Sequence, residues 1–205
     1  MNPELTQPSL LSRVRDPANH QAWREFEAKY RELILRFCRR RGLQQVDAED
    51  VLQIVMANLV QSLPKFVYDP KRGRFRDYLY QAVRSGISRL KTGGTRPKTP
   101  VAALDTSMLH ALEAEDESAA EALWNQEWIN HHFRLAMETV RRTFEPRSVE
   151  IFERSVRGES VAHLAAAFQT TEQAVHKVRQ RIRARMEELI AQQVRDEEAV
   201  DEPTS

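Results

Sequence analysis

Two stretches of the sequence carry side chains suited to handling nucleic acid. Between Lys65 and Lys91, the cations Lys71, Arg74, Arg76, Arg84 and Arg89 interleave with Phe66, Tyr68, Phe75, Tyr78 and Tyr80. Cations follow a phosphate backbone and aromatic rings stack on unpaired bases, so this mixture suits a single strand. Arg76, Tyr80, Arg84 and Ser88 fall four apart, which aligns them as one helical stripe expected opposite the core. Phe66 and Phe75 read as core residues instead. The second stretch follows Gln169. If Val175, Val178 and Ile182 face inward, the same helix exposes Glu172, Gln173, His176, Lys177, Arg179, Gln180 and Arg183. Arg and Gln can read guanine and adenine bidentately, and Lys anchors phosphate. Thr171 stands at the start of that helix, where backbone N–H groups favour an anion.

No grouping of residues suggests catalysis, and the sequence does not read as an enzyme. The six histidines, His20, His110, His131, His132, His163 and His176, have no metal-ligand spacing with a Cys or carboxylate partner. His131 and His132 are adjacent and so cannot share one helix face. No glycine-rich phosphate loop is present. Neither metal nor cofactor is expected. Cys38 is the single cysteine, which rules out an internal disulfide framework and suggests a reducing, cytoplasmic setting. No long apolar run suggests export or a membrane span.

The net charge of +1 is uninformative, but its distribution is not. From Lys71 to Lys98 the charges are basic apart from Asp77. From Val101 to Glu127 there is no Lys or Arg, while Asp105, Glu113, Glu115, Asp116, Glu117, Glu121 and Glu127 are acidic. Lys177 to Arg185 is basic again. Two separate basic surfaces are a common feature of nucleic-acid binders.

These side chains must be positioned by helices. Glycines number only six, Ala, Leu, Arg, Glu and Gln are plentiful, and helical spacing dominates. The expected fold is all-α, with two small helical domains joined by a flexible acidic linker. The expected boundaries are 9–91 for the first domain, 92–119 for the linker, 120–193 for the second domain and 194–205 for an acidic tail. In the first domain, Trp23, Phe26, Tyr30, Leu33 and Phe37 mark one helix face, ended by Gly42. Asp47 is expected to cap the next helix, whose stripe is Val51, Leu52, Val55, Met56, Leu59, Val60 and Leu63. Phe75, Leu79, Val83, Ile87 and Leu90 face inward from a third helix; three such helices form a bundle. The composition of 92–100, with two glycines and two prolines, marks the break, and a helical turn is expected at 106–113.

In the second domain Ile129, Phe133, Ala136 or Met137, and Val140 give helical spacing. Pro146 suits the first turn of the next helix. Ser160 caps a short helix containing Ala162, Ala165 and Ala166, whose small side chains permit a close helix crossing. Thr170 with Gln173 gives a capping-box pattern for the last helix. A short helix, a tight turn and a basic helix together form a helix-turn-helix pattern.

These residues together resemble the sigma factors of RNA polymerase, of the small extracytoplasmic-function type in the sigma-70 family. Residues 47–53 (DAEDVLQ) and 59–85 resemble sigma region two, and Pro146 to Leu189 resembles region four. The resemblance implies that Asp47, Asp50 and Gln53 contact core RNA polymerase. It implies that Lys71, Arg74, Arg76, Tyr80, Arg84, Ser85, Ser88 and Arg89 meet and melt the minus-ten promoter element. Thr171, Gln173, His176, Lys177, Arg179, Gln180 and Arg183 would read the minus-thirty-five element, and region four would also pack on the polymerase flap. The partners implied are core RNA polymerase and promoter DNA, with an anti-sigma partner left open and no membrane. The chain departs from many relatives at Ile54, where they carry Glu, at Ser85 and Ser88, where they carry Asn and Asp, and at Gln169, where the turn often holds Gly. Two other readings compete. One is a stand-alone helix-turn-helix regulator that binds DNA as a dimer. The other is an interaction protein that binds polymerase without melting DNA.

Overall fold

The computed structural model describes residues 9–65, 74–91 and 117–198. Eight α-helices and no strand occur among them. The helical turn expected at 106–113 lies outside the described residues.

The first four helices arise from local signals and one shared apolar stripe. Helix α1, Leu10–Arg13, starts where the Ser9 hydroxyl accepts from the Ser12 N–H. Helix α2, His20–Arg40, is capped by Asn19, whose side chain accepts from the Ala22 N–H. It stops at Gly42, which adopts φ 88°, a left-handed conformation that glycine takes without strain. Helix α3 spans Gln45–Ser62 and continues into a 3₁₀ turn, Leu63–Lys65. Its cap position is Gln44, with no side-chain cap bond. Asp47 therefore lies inside the first turn and is not the cap expected from sequence; its charge still opposes the positive helix end. Helix α4 spans Phe75–Lys91. Asp77 reaches back to accept from the Arg74 N–H, half of a capping box.

Helix α3 packs on both α2 and α4. Trp23, Phe26, Tyr30, Leu33, Phe37, Val51, Leu52, Val55, Leu59, Phe75, Leu79, Val83 and Ile87 are all buried in one core. Gly86 allows the closest approach: a Cβ there would lie 3.1 Å from Val55 Cγ2 and 3.2 Å from Val51 Cγ1.

The remaining helices are α5, Glu117–Thr143, α6, Pro146–Val156, α7, Val161–Ala167, and α8, Glu172–Glu198. The chain forms two compact units, divided between Ile129 and Asn130 and again between Val194 and Arg195. This division falls later than the break expected from composition. Residues 117–119, expected in the linker, are helical, and Trp124 and Trp128 of α5 belong to the first core. Residues 194–198, expected in the tail, continue α8. Glu197 is buried beside α2, where it accepts from Tyr30 Oη at 2.7 Å and Lys29 Nζ at 2.9 Å.

In the second unit Ala136, Met137 and Val140 of α5 pack with Val149, Phe152, Ile182 and Met186. Ile129 and Phe133, part of the helical spacing read from sequence, are exposed by 63% and 38%. The buried stripe of α5 runs through Trp124, Trp128, His132, Ala136 and Val140, and His131 is buried beside it. Ile129 and Phe133 lie one position off it, about 100° around the helix.

Candidate nucleic-acid interface

On α4 the expected stripe is only partly open. Arg74 is exposed, and Arg76 is half-buried in an ion pair with Asp77 at 3.1 Å. Ser85, Ser88 and Arg89 are half-buried. Arg89 Nη1 donates to Asn58 Oδ1 at 2.9 Å and so ties α4 to α3. Lys71, like Phe66 and Tyr68, lies outside the described residues.

Tyr80 departs most from expectation: it is 6% exposed, so its ring lies in the core and not on an open stripe. Phe37 meets it edge-on at 6.0 Å between centroids, and Trp124 lies tilted against it at 5.6 Å. The Arg84 guanidinium sits 5.5 Å from the ring centroid, and Arg84 itself pairs with Glu117. The reason is Trp124, which the sequence reading assigned to the other domain. It covers a face that a three-helix bundle alone would leave open. Among the described residues the buried Tyr80 hydroxyl has no hydrogen-bond partner. Burial pushes its pKa up, against the pull of the Arg84 charge.

On α3, Asp50 and Gln53 are exposed and Asp47 is half-buried. Spacings of three place them on adjoining turns of one surface. Val46 stands beside them, 72% exposed, an apolar residue in an acidic setting that sequence periodicity did not single out.

In the second unit, α6, α7 and the start of α8 form a small core of Ile151, Leu164, Ala165 and Val175. Ser160 caps α7 as expected, accepting from the His163 N–H at 3.2 Å. Of the three alanines expected at the crossing, only Ala165 is buried; Ala162 and Ala166 are exposed. The turn runs through Gln169 at φ 47°, the left-handed region usually given to glycine. Its geometry is thus the one the more common Gly adopts, with a side chain added. The turn also shifts the cap by one residue from the expected Thr170. Thr171 Oγ1 accepts from the Ala174 N–H at 3.1 Å.

Beyond that cap, Thr171, Gln173, His176, Lys177, Gln180 and Arg183 are exposed together, and Arg179 is half-buried. Val175 and Ile182 are fully buried on the opposite side. The structure thus brings the second set of sequence-expected residues onto one surface. Arg179 and Arg183 also line a groove of about 290 Å³, together with Phe133, Phe152, Val156, Met186 and Ile190. The groove was not evident from sequence, where Phe133 counted only toward helical spacing.

One comparison with known families bears on the first unit. Residues 28–96 match the family model for sigma-70 region 2. That stretch is similar to the sigma-70 region 2 domain; the match covers about a third of the chain. Within the match, region 2 comprises most of α2 together with α3 and α4, so both Asp50 and Arg84 stand inside it. No curated protein and no solved structure matches the chain. Among the described residues no helix is long and apolar enough to cross a membrane, and no group of His, Cys, Asp and Glu is placed to hold a metal ion.

Proposed function

We propose that this protein is a two-domain sigma factor of the extracytoplasmic-function type, which directs core RNA polymerase to promoters and melts their minus-ten element. The region 2 match over α2–α4 carries this reading. In it, the surface of α3 formed by Asp47, Asp50 and Gln53 docks on polymerase. Val46 supplies an apolar anchor next to it. Lys71, Arg74, Arg76, Tyr80, Arg84, Ser85, Ser88 and Arg89 serve the minus-ten strand. No covalent chemistry is required of the protein: melting follows if the unstacked strand is bound better than the duplex.

The second unit is assigned to the minus-thirty-five element. The shared surface of Thr171, Gln173, His176, Lys177, Arg179, Gln180 and Arg183 supports that assignment. A helix with cations and amides on its open side, held by a short helix across a tight turn, suits the major groove. The apolar groove behind Arg179 and Arg183 suits the polymerase flap.

The test is Arg84→Ala. The Arg84 side chain is 16% exposed and its partner Glu117 is 64% exposed, so its removal strands no buried charge. Polymerase binding should be unchanged, while permanganate-reactive thymines in the open complex should fall severalfold. An equal open-complex yield would remove Arg84 from the melting surface.

A further inference from the structure

Two carboxylates of α5, Glu117 and Glu127, pair with cations of α4 and α2. Glu117 pairs with Arg84, and Glu127, itself 3% exposed, accepts from Arg40 Nη1 at 2.7 Å. Glu121, one turn from Glu117, acts electrostatically on Tyr80, as Arg41 does with opposite sign. Between these charges Trp124 closes over the Tyr80 ring. An aromatic ring flanked by anions held on arginines is the pattern a single strand would present: a base on Tyr80, phosphates on Arg84 and its neighbours. Among the described residues the buried Tyr80 hydroxyl has no partner, an unfavourable state that a change of cover would relieve.

We propose that the first turns of α5 act as an internal mimic of a DNA strand, so that the isolated protein binds single-stranded DNA weakly until this segment is displaced. The inference rests on the assignment of Arg84 and Tyr80 to the melted strand. It adds that this site is occupied by the protein's own α5, and that opening it is a regulated step.

The test uses the full chain, a fluorescein-labelled oligothymidylate and anisotropy at low salt. Glu117 and Glu121 are exposed, so Glu117→Gln with Glu121→Gln preserves the packing of Trp124, which helical circular dichroism checks. The double variant should bind about fivefold tighter or more, and adding Arg84→Ala should abolish the gain. As a control for net charge, Glu138→Gln with Glu145→Gln, two exposed sites on the second unit, should change binding little. Equal affinity of wild type and double variant, with Arg84→Ala weakening both, would overturn the mimic and leave Arg84 as a DNA contact. Gain that survives Arg84→Ala, or that the control pair reproduces, would overturn the mimic and, in the first case, the DNA role of Arg84 as well.

Discussion

Two tyrosines buried in the same core should respond oppositely to loss of their hydroxyls. Tyr30 is fully buried and donates to Glu197 Oε1 at 2.7 Å, where Lys29 Nζ also donates at 2.9 Å. Tyr80 is 6% exposed and its hydroxyl has no partner among the described residues. A hydrogen bond to a charged group contributes about 1.5–3 kcal/mol. Lys29 remains to satisfy Glu197, so Tyr30→Phe should cost an amount near the lower bound, about 1.5 kcal/mol. An unpaired buried hydroxyl already costs about 1–3 kcal/mol in the wild type. Tyr80→Phe removes that cost and should stabilise by about 1 kcal/mol, since both rings keep their packing. The two variants should therefore differ by about 2.5 kcal/mol. The chain has three tryptophans, Trp23, Trp124 and Trp128, all in the first unit. Their fluorescence during urea unfolding reports that unit alone. The midpoint should rise for Tyr80→Phe and fall for Tyr30→Phe with an unchanged slope. If Tyr80→Phe lowers stability by more than about 0.5 kcal/mol, its hydroxyl is satisfied and the packing of α5 over α4 is misread.

Other consequences can be checked as directly. Gln169→Gly removes a side chain from a left-handed residue and should raise the stability of the second unit by about 0.5–1 kcal/mol, read by calorimetry; a loss would show that the Gln side chain contributes more than the strain costs. Arg183→Ala should weaken binding to the minus-thirty-five element by about 1–3 kcal/mol if it reads a base, or reduce the salt dependence if it meets phosphate, and footprinting titrations separate these. Burial raises the pKa of Tyr30, Tyr78 and Tyr80 above 10.0. The unfolded chain then loses these protons first, so the stability they contribute is complete below pH 10 and is lost as pH rises beyond it. Thermal midpoints flat from neutral pH to above that point would contradict this burial. Cys38 is fully buried with its thiol pushed up to about 12, so it should resist alkylation until the first unit unfolds.

The helices were legible in the sequence because each has one apolar stripe at helical spacing. Phe26, Tyr30, Leu33 and Phe37 in α2, and Phe75, Leu79 and Val83 in α4, lie where that spacing put them. So does the open face of α8, since Val175 and Ile182 fix its rotation. Sequence periodicity failed where one helix serves two cores. Along α5 the apolar residues lie on more than one face, and a reader must choose. Ile129 and Phe133 made one plausible stripe, yet Trp124, Trp128, Ala136 and Val140 are the buried ones. That choice hid the covering of Tyr80, which depends on Trp124, a residue distant in sequence. Glu197 was missed for a related reason. In an acidic run nothing local distinguishes the one carboxylate that meets Tyr30 and Lys29. At the second turn, the left-handed Gln169 set the cap at Thr171, one residue past the pattern formed by Thr170 and Gln173.

The central claim is that this chain gives polymerase a promoter. Run-off transcription with purified core RNA polymerase on pooled genomic fragments, with and without the protein, tests it most directly. Discrete start sites that appear only with the protein, and weaken with Asp50→Ala through loss of polymerase binding, are the expected result. No transcripts from a protein that still binds duplex DNA without polymerase would contradict it and favour a stand-alone regulator.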